Sequence, residues 1–222
     1  TIVFPGEPLI TVKAPLIEAQ LLETLILLTV NHQSLIATKT RRIVNQAKGR
    51  PVMEFGARRA HGPDAAIYGA RAAIIGGAIG TSCSISAKEF DVTVSGTMAH
   101  SWIQSFDSEY EAFKTYAEIY PHGCTFLIDT YDTLNSGLEN AIKVSNDILA
   151  PLGARPVAVR LGSGDLAYLS KEVRKRLDEA GYPDCKIVAT NSLDEKLIAS
   201  LLDQDAKIDI FGVGENLITA KS

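Results

Sequence analysis

Short apolar runs alternate with longer amphipathic stretches along this chain. Val92-Thr-Val94, Thr125-Phe-Leu-Ile128, Val157-Ala-Val159, Ile187-Val-Ala189 and Ile208-Asp-Ile-Phe211 are too short for helices and predict buried strands. Two more strands are expected from Pro51 to Phe55 and from Ala78 to Ser82, making seven. Nearly every one ends in a polar or glycine-rich segment: Glu54-Phe-Gly-Ala-Arg-Arg59, Gly80-Thr-Ser82, Gly96-Thr-Met-Ala-His100, Asp129-Thr-Tyr-Asp132, Arg160-Leu-Gly-Ser-Gly-Asp165, Thr190-Asn-Ser192 and Gly212-Val-Gly-Glu215. Between them, helices are expected over Leu16–Lys48, Pro63–Gly76, Asp107–Tyr120, Leu134–Ala150, Leu166–Ala180 and Leu193–Leu202. Pro15 suits the first position of the first helix and Gly49 its stop; its length predicts a break near Asn31-His32. Residues 1–14 read as extended, with a turn at Pro5-Gly6 between two β-like runs.

A strand and a helix recurring every roughly 25–35 residues predict parallel βα units. A doubly wound sheet gathers ligands at one switch point, whereas a barrel uses the carboxyl ends of all its strands. Chemistry at successive strand ends makes the α/β barrel the better fit, the open sheet remaining the alternative, and makes the chain an enzyme.

The 222 residues suffice for one large α/β domain, and 46% hydrophobic with 22% charged residues is ordinary for a globular fold. A net charge of −4 excludes a global basic field for nucleic acid but not local arginines gripping a phosphorylated small molecule. Cys83, Cys124 and Cys185 have no paired metal-ligand spacing and suit a reducing, cytoplasmic compartment. The apolar stretch Leu25–Val30 is far too short to span a bilayer. A start at Thr without Met and a stop just after a glycine loop predict an excerpt of a longer protein, with 1–14 the edge of a preceding α/β domain and 15–222 an incomplete barrel catalytic domain.

Among the strand ends, the adjacent guanidiniums of Arg58 and Arg59 suit bidentate anion binding or a solvated surface pair. His100 suits a base, a nucleophile, a ligand or a hydrogen-bonded structural histidine, with no second ligand spaced for a metal. Asp129 and Asp132 suit ribose hydroxyls or a Mg²⁺ bridged to phosphate, or the capping of a helix. Arg160-Leu-Gly-Ser-Gly-Asp165 and Gly212-Val-Gly-Glu215 suit backbone approach to a ligand, or plain glycine turns. Together they suggest a phosphorylated sugar.

Glu54-Phe-Gly-Ala-Arg-Arg-Ala-His-Gly-Pro-Asp64, Gly80-Thr-Ser82, Gly96-Thr-Met-Ala-His-Ser-Trp102 and Phe211-Gly-Val-Gly214 resemble the nicotinate phosphoribosyltransferase family, in order and over essentially the whole chain. The resemblance implies an irregular TIM-like barrel of the type II phosphoribosyltransferases, with a separate domain built from the two chain ends and largely missing here. It implies pyridine nucleotide (NAD) salvage: nicotinate and 5-phosphoribosyl 1-pyrophosphate give nicotinate mononucleotide and pyrophosphate, coupled to ATP hydrolysis, with Mg²⁺, in a cytoplasmic homodimer sharing its active site. By the same resemblance His100 is transiently phosphorylated, Phe55 stacks on the pyridine ring, and Arg58 and Arg160 contact phosphate and nicotinate. Gly212 and Gly214 cradle the 5′-phosphate near Thr190 and Asn191, Asp129 serves the ribose or the Mg²⁺ side, and Lys88 reaches towards pyrophosphate. Thr81, Ser82, Gly162, Ser163 and Glu215 complete the substrate-binding set, and no protein residue is expected as a dedicated metal ligand. Amide-using relatives carry acids where Ser82 and Gly162 stand here, which favours an anionic base over nicotinamide. The rival readings are quinolinate or nicotinamide phosphoribosyltransferase, a sugar-phosphate aldolase barrel, which would need a strand lysine, and a non-catalytic barrel with a scaffolding role.

Overall fold

The computed structural model describes residues 2–221. Among them the order is α1 (Leu16–Gln46), β1 (Val52–Glu54), α2 (Pro63–Gly76), β2 (Gly80–Thr81), α3 (Ser84–Phe90), α4 (His100–Ile103), α5 (Glu109–Ile119), β3 (Thr125–Leu127), α6 (Leu138–Val144), β4 (Ala158–Leu161), α7 (Leu166–Glu179), β5 (Lys186–Ala189), α8 (Glu195–Asp203), β6 (Ile210–Val213) and α9 (Glu215–Ile218). The six strands form one sheet in the order β2-β1-β6-β5-β4-β3, every pair parallel. Strand neighbours are also sequence neighbours, except that β6 returns to pair with β1, Phe211 opposite Val52. The order therefore never reverses direction, which removes the switch point of a doubly wound sheet. The sheet curls as a half-barrel with one seam, between β2 and β3.

The seventh expected strand is not formed. Of Val92-Thr-Val94 only Val94 pairs, as a single bridge to Thr81. The run is only three residues long, Thr93 and Val94 are exposed, and Ser95-Gly96 follow at once, so nothing buried extends the ladder.

Three helices, α5, α7 and α8, start at side-chain caps. Ser108 Oγ accepts from Glu111 N, Asp165 Oδ1 from Ala167 N and Tyr168 N, and Asp194 Oδ1 from Leu197 N. Contrary to the expected break, α1 runs unbroken through Asn31-His32. Neither residue is a helix breaker, and the buried seam of Ile36, Lys39, Thr40 and Ile43 anchors its second half, with Lys39 Nζ 2.7 Å from Glu195 of α8. Pro15 precedes this helix as its cap rather than occupying its first turn. The first half projects outward: Ile17 and Leu21 are more than three-quarters exposed. Residues 2–14 form no strand; they turn at Pro5-Gly6 and set Leu9, Ile10 and Val12 against this apolar face.

The expected helix over 134–150 is divided. Wide turns with i→i+5 hydrogen bonding, Thr133–Gly137 and Ser145–Leu149, flank α6, and Pro151 sits in a closing tight turn. Asp132 caps the first of these, its Oδ1 accepting from Leu134 N at 3.0 Å and Asn135 N at 2.8 Å. Gly137 lies so close to Ile128 that a Cβ there would overlap the Ile128 carbonyl. The core behind the site is the helix-covered face of the strands, opposite the one that carries Arg160 and Gly212, with Phe126, Ile128, Leu161, Ile187, Phe211 and Val213 fully buried.

Candidate active site

The carboxyl ends of β1, β4, β5 and β6 open onto one cavity of about 430 Å³. Phe55 and Arg58 enter from the turn after β1, His100 from the start of α4, Arg160 and Gly162 from β4, Thr190 and Asn191 from β5, and Gly212, Gly214 and Glu215 from β6. Arg59, Ser192, Asn216 and Lys221 line it too. Arg58, Arg59, Arg160 and Lys221 face one lining carboxylate, Glu215, so a chain of net charge −4 holds a locally cationic cavity. Among the described residues neither Arg58 nor Arg59 makes an ion pair with protein, which leaves both free for an anion.

Arg160 sits at the centre. Its Nε donates to Thr190 Oγ1 at 3.1 Å and its Nη1 to Thr97 Oγ1 at 2.6 Å, while the guanidinium carbon lies 5.8 Å from the Phe55 ring centroid. Thr190 Oγ1 donates onward to the Leu161 carbonyl at 3.2 Å. Burial pushes the Arg160 guanidinium down from its usual range; Asp129 opposes this and Arg58 adds to it. A desolvated cation next to a second one gains most from an incoming anion. The glycines follow from the same packing. A Cβ on Gly212 would stand 2.6 Å from the Phe55 ring, and one on Gly162 would stand 2.8 Å from Thr190 Oγ1 and 3.3 Å from Asp129 Oδ2.

Asp129 lies buried behind the cavity. Its Oδ2 accepts from Gly162 N at 2.9 Å, and its Oδ1 has no hydrogen-bond partner and stands 4.0 Å from His100 Nε2. His100 Nδ1 is 3.1 Å from Thr130 Oγ1. The segment following β3 thus orients the ring through Nδ1 and places a carboxylate near Nε2 without a hydrogen bond, in a half-exposed side chain at the cavity edge. Among the described residues no group of three or more His, Cys, Asp or Glu side chains is placed to hold a metal ion.

The chain that builds this cavity resembles known proteins over most of its length. The profile of the nicotinate phosphoribosyltransferase (NAPRTase) family matches residues 51–221, the whole stretch that builds the sheet and the cavity. The chain belongs to the nicotinate phosphoribosyltransferase family. A nicotinate phosphoribosyltransferase of Bacillus subtilis is 52% identical over 219 residues, 99% of this chain and 44% of that protein. One from Mycobacterium tuberculosis is 48% identical over 221 residues, 100% of this chain and 47% of that protein. The crystal structure of human nicotinic acid phosphoribosyltransferase superposes with a TM-score of 0.89 at 30% identity, over 96% of this chain and 53% of that one. The chain therefore spans about half the length of these family members.

Not all residues singled out by the family resemblance reach the cavity. Thr81 is fully buried, its hydroxyl donating to Glu54 Oε2 at 2.5 Å and accepting from Cys83 N at 2.9 Å. Ser82 is exposed with its N–H on the Glu54 carbonyl, and Ser163 is exposed; neither lines the cavity. Lys88 lies in the last turn of α3, also outside the lining. Asp132 and Asp165 are committed to helix caps.

Sequence reasoning missed others. Glu54 is fully buried, joins the ends of β1 and β2 through Thr81, also accepts from Gly56 N, and has its carboxyl pushed up by burial. Thr97 and Thr130 lie inside quoted segments, but their partners come from 63 and 30 residues away. Asn216 and Lys221 carried no local signal beyond following a glycine loop.

Proposed function

We propose that the protein transfers a 5-phosphoribosyl group from 5-phosphoribosyl 1-pyrophosphate to nicotinate, giving nicotinate mononucleotide and pyrophosphate. The observation that supports this most is Arg160, desolvated, forked between Thr190 and Thr97 and beside the Phe55 ring, in a cavity whose other cations, Arg58, Arg59 and Lys221, make no ion pair among the described residues. A flat aromatic anion suits the space against Phe55, its carboxylate on a guanidinium. The doubly charged phosphate and the pyrophosphate suit Arg58, Arg59, Lys221 and the backbone at Gly212–Gly214 and Asn191. In the reaction the ribose C1–O bond to pyrophosphate breaks, the oxygen keeping the electron pair. The C1–N bond forms from the pyridine nitrogen lone pair. No protein base is required. Positioning and stabilisation of the departing pyrophosphate by Arg58 and Arg160 supply the catalysis.

His100 fits a nitrogen nucleophile for the γ-phosphoryl of ATP: the bond to ADP breaks as the N–P bond forms. Asp129 and Thr130 hold the ring, and Asp129 favours the developing positive charge on the imidazole. Mg²⁺ would enter with the phosphates, lowering their charge. The partnerless Asp129 Oδ1, with Glu215 at the cavity wall, offers it few protein ligands, which suits an ion held mainly by phosphate oxygens.

The cyclic strand order supports an irregular TIM-like barrel in the whole protein. The outward apolar half of α1 with residues 2–14 supports their role as the edge of a further domain, and a homodimer is the assembly we attach to this reading. No helix among the described residues is long and apolar enough to cross a membrane; we place the enzyme in the cytoplasm.

The deciding experiment is a product assay on the full-length protein with 5-phosphoribosyl 1-pyrophosphate and Mg²⁺, with and without ATP, offering nicotinate, nicotinamide and quinolinate in parallel. Nicotinate mononucleotide formed faster with ATP, and little product from the other bases, is expected; no product from any base sinks the reading. In the same assay His100→Ala is expected to retain ATP-independent transfer and lose its stimulation by ATP. Unchanged ATP consumption per product would remove the phosphohistidine.

A further inference from the structure

The loop after β5 adopts a conformation that Asn191 tolerates and Ser192 does not favour. Asn191 and Ser192 both have positive φ, +79° and +51°. Two successive non-glycine residues in the left-handed region persist only where surrounding contacts over-determine them. The loop's own contacts are few. Thr190 N reaches the Leu161 carbonyl at 2.8 Å, Ser192 Oγ reaches its neighbour Asn191, and the N–H groups of Asn191, Ser192 and Leu193 have no partner among the described residues.

The exception comes from the end of the neighbouring strand, β6. Asn216, in the single turn of α9, donates through Nδ2 to the Ser192 carbonyl at 3.0 Å and the Leu193 carbonyl at 3.2 Å. Among the described residues no other group bonds these two carbonyls. Both amide protons are thus spent on the loop, and Asn216 ties the end of β5 to the glycine loop after β6, the two segments that flank Arg160's partner Thr190 and Phe55's partner Gly212.

We propose that Asn216 is a positioning residue for the phosphoribosyl donor: by holding the Ser192 and Leu193 carbonyls it clamps Asn191 and Ser192 in their left-handed form, leaving the N–H groups of these two cavity-lining residues free for phosphate oxygens. This rests on the phosphoribosyl transfer proposed above. Nicotinate, assigned to the Phe55 and Arg160 side, does not depend on the clamp.

The test is steady-state kinetics on full-length Asn216→Ala, Asn216→Asp and Asn216→Gln variants, with a crystal structure of Asn216→Ala. Alanine removes the donor; aspartate keeps the shape but turns an acceptor towards two carbonyls; glutamine keeps an amide donor. Losing both bonds is expected to raise KM for 5-phosphoribosyl 1-pyrophosphate about tenfold in the Ala and Asp variants, with kcat and the nicotinate KM within about twofold and partial recovery in Gln. The Asn191 and Ser192 φ angles are expected to leave the left-handed region in the Ala variant. A fall in kcat with unchanged KM would reveal a merely structural residue, and a raised KM with the loop unmoved would reveal a direct ligand contact; either overturns the proposal. Should the unsubstituted protein make no nucleotide from any base, the proposed reaction fails, and the loop in the variant crystal still decides the clamp.

Discussion

Arg160→Ala is expected to lower kcat/KM for nicotinate mononucleotide formation by about a thousandfold, at the upper end of what removing one preorganised donor costs. The side chain is fixed before any ligand arrives: two threonine hydroxyls hold its Nε and Nη1, and the ring of Phe55 stands 5.8 Å away. Its charge is desolvated and, although Asp129 offsets part of that cost, no salt bridge pairs it among the described residues and Arg58 adds like charge, so in the proposed transfer its favourable partner is the anion that develops as pyrophosphate departs. Arg160→Lys keeps the charge but cannot fork between Thr190 and Thr97, and a loss of about a hundredfold is expected from the misplaced cation. Steady-state kinetics against both substrates, with thermal unfolding as a control, checks this. A loss of less than about tenfold in a folded Ala variant would place the chemistry elsewhere.

Gly137→Ala is expected to cost about 3 kcal/mol of stability, the severe end of overpacking. The new Cβ would overlap the Ile128 carbonyl, and its nearest neighbours are all main-chain atoms of Ile128, so no side-chain rotation relieves the clash. Ile128 itself is tied, its N–H donating to the Arg160 carbonyl at 3.2 Å, and Asp129 follows directly. Damage should therefore spread to the Asp129–His100 pair, and residual activity should fall along with the midpoint of denaturation. Gly123→Ala, where a Cβ meets nothing within 4 Å, is the control and should leave the midpoint unchanged. Equal midpoints for the two variants would show that the wide turn after β3 yields.

The sequence made the βα alternation legible because apolar runs such as Thr125–Ile128 and Ile208–Phe211 are short, bounded and buried. Helix starts after Ser108 and Asp165 were readable from capping residues, and the helix expected from Leu193 starts two residues later, at Glu195 behind its Asp194 cap. The wide turns around α6 were not, because Gly137 is explained by Ile128, a contact across the βα loop that no local pattern encodes. In the site, the arginines and glycines announced a cationic ligand cavity. Thr190 was legible as a strand-end residue, but Thr97 and Thr130 look like any other threonine until the fold brings them to Arg160 and His100. Ser82 shows the opposite failure: a motif position that marks the family yet lies outside the cavity lining in this structure.

The return of β6 to β1 sets a timetable for biosynthesis. Arg50 Nε bonds the Ile208 carbonyl 158 residues away, and Phe211 completes the ladder with Val52. A strand emerging early from the ribosome therefore waits, with one edge bare, until almost all of this stretch has been translated. Closing so long a loop is slow, and an unpaired parallel edge invites misassociation meanwhile. Folding yield in cells should thus depend on chaperone supply and elongation rate more than the equilibrium stability of the finished sheet suggests.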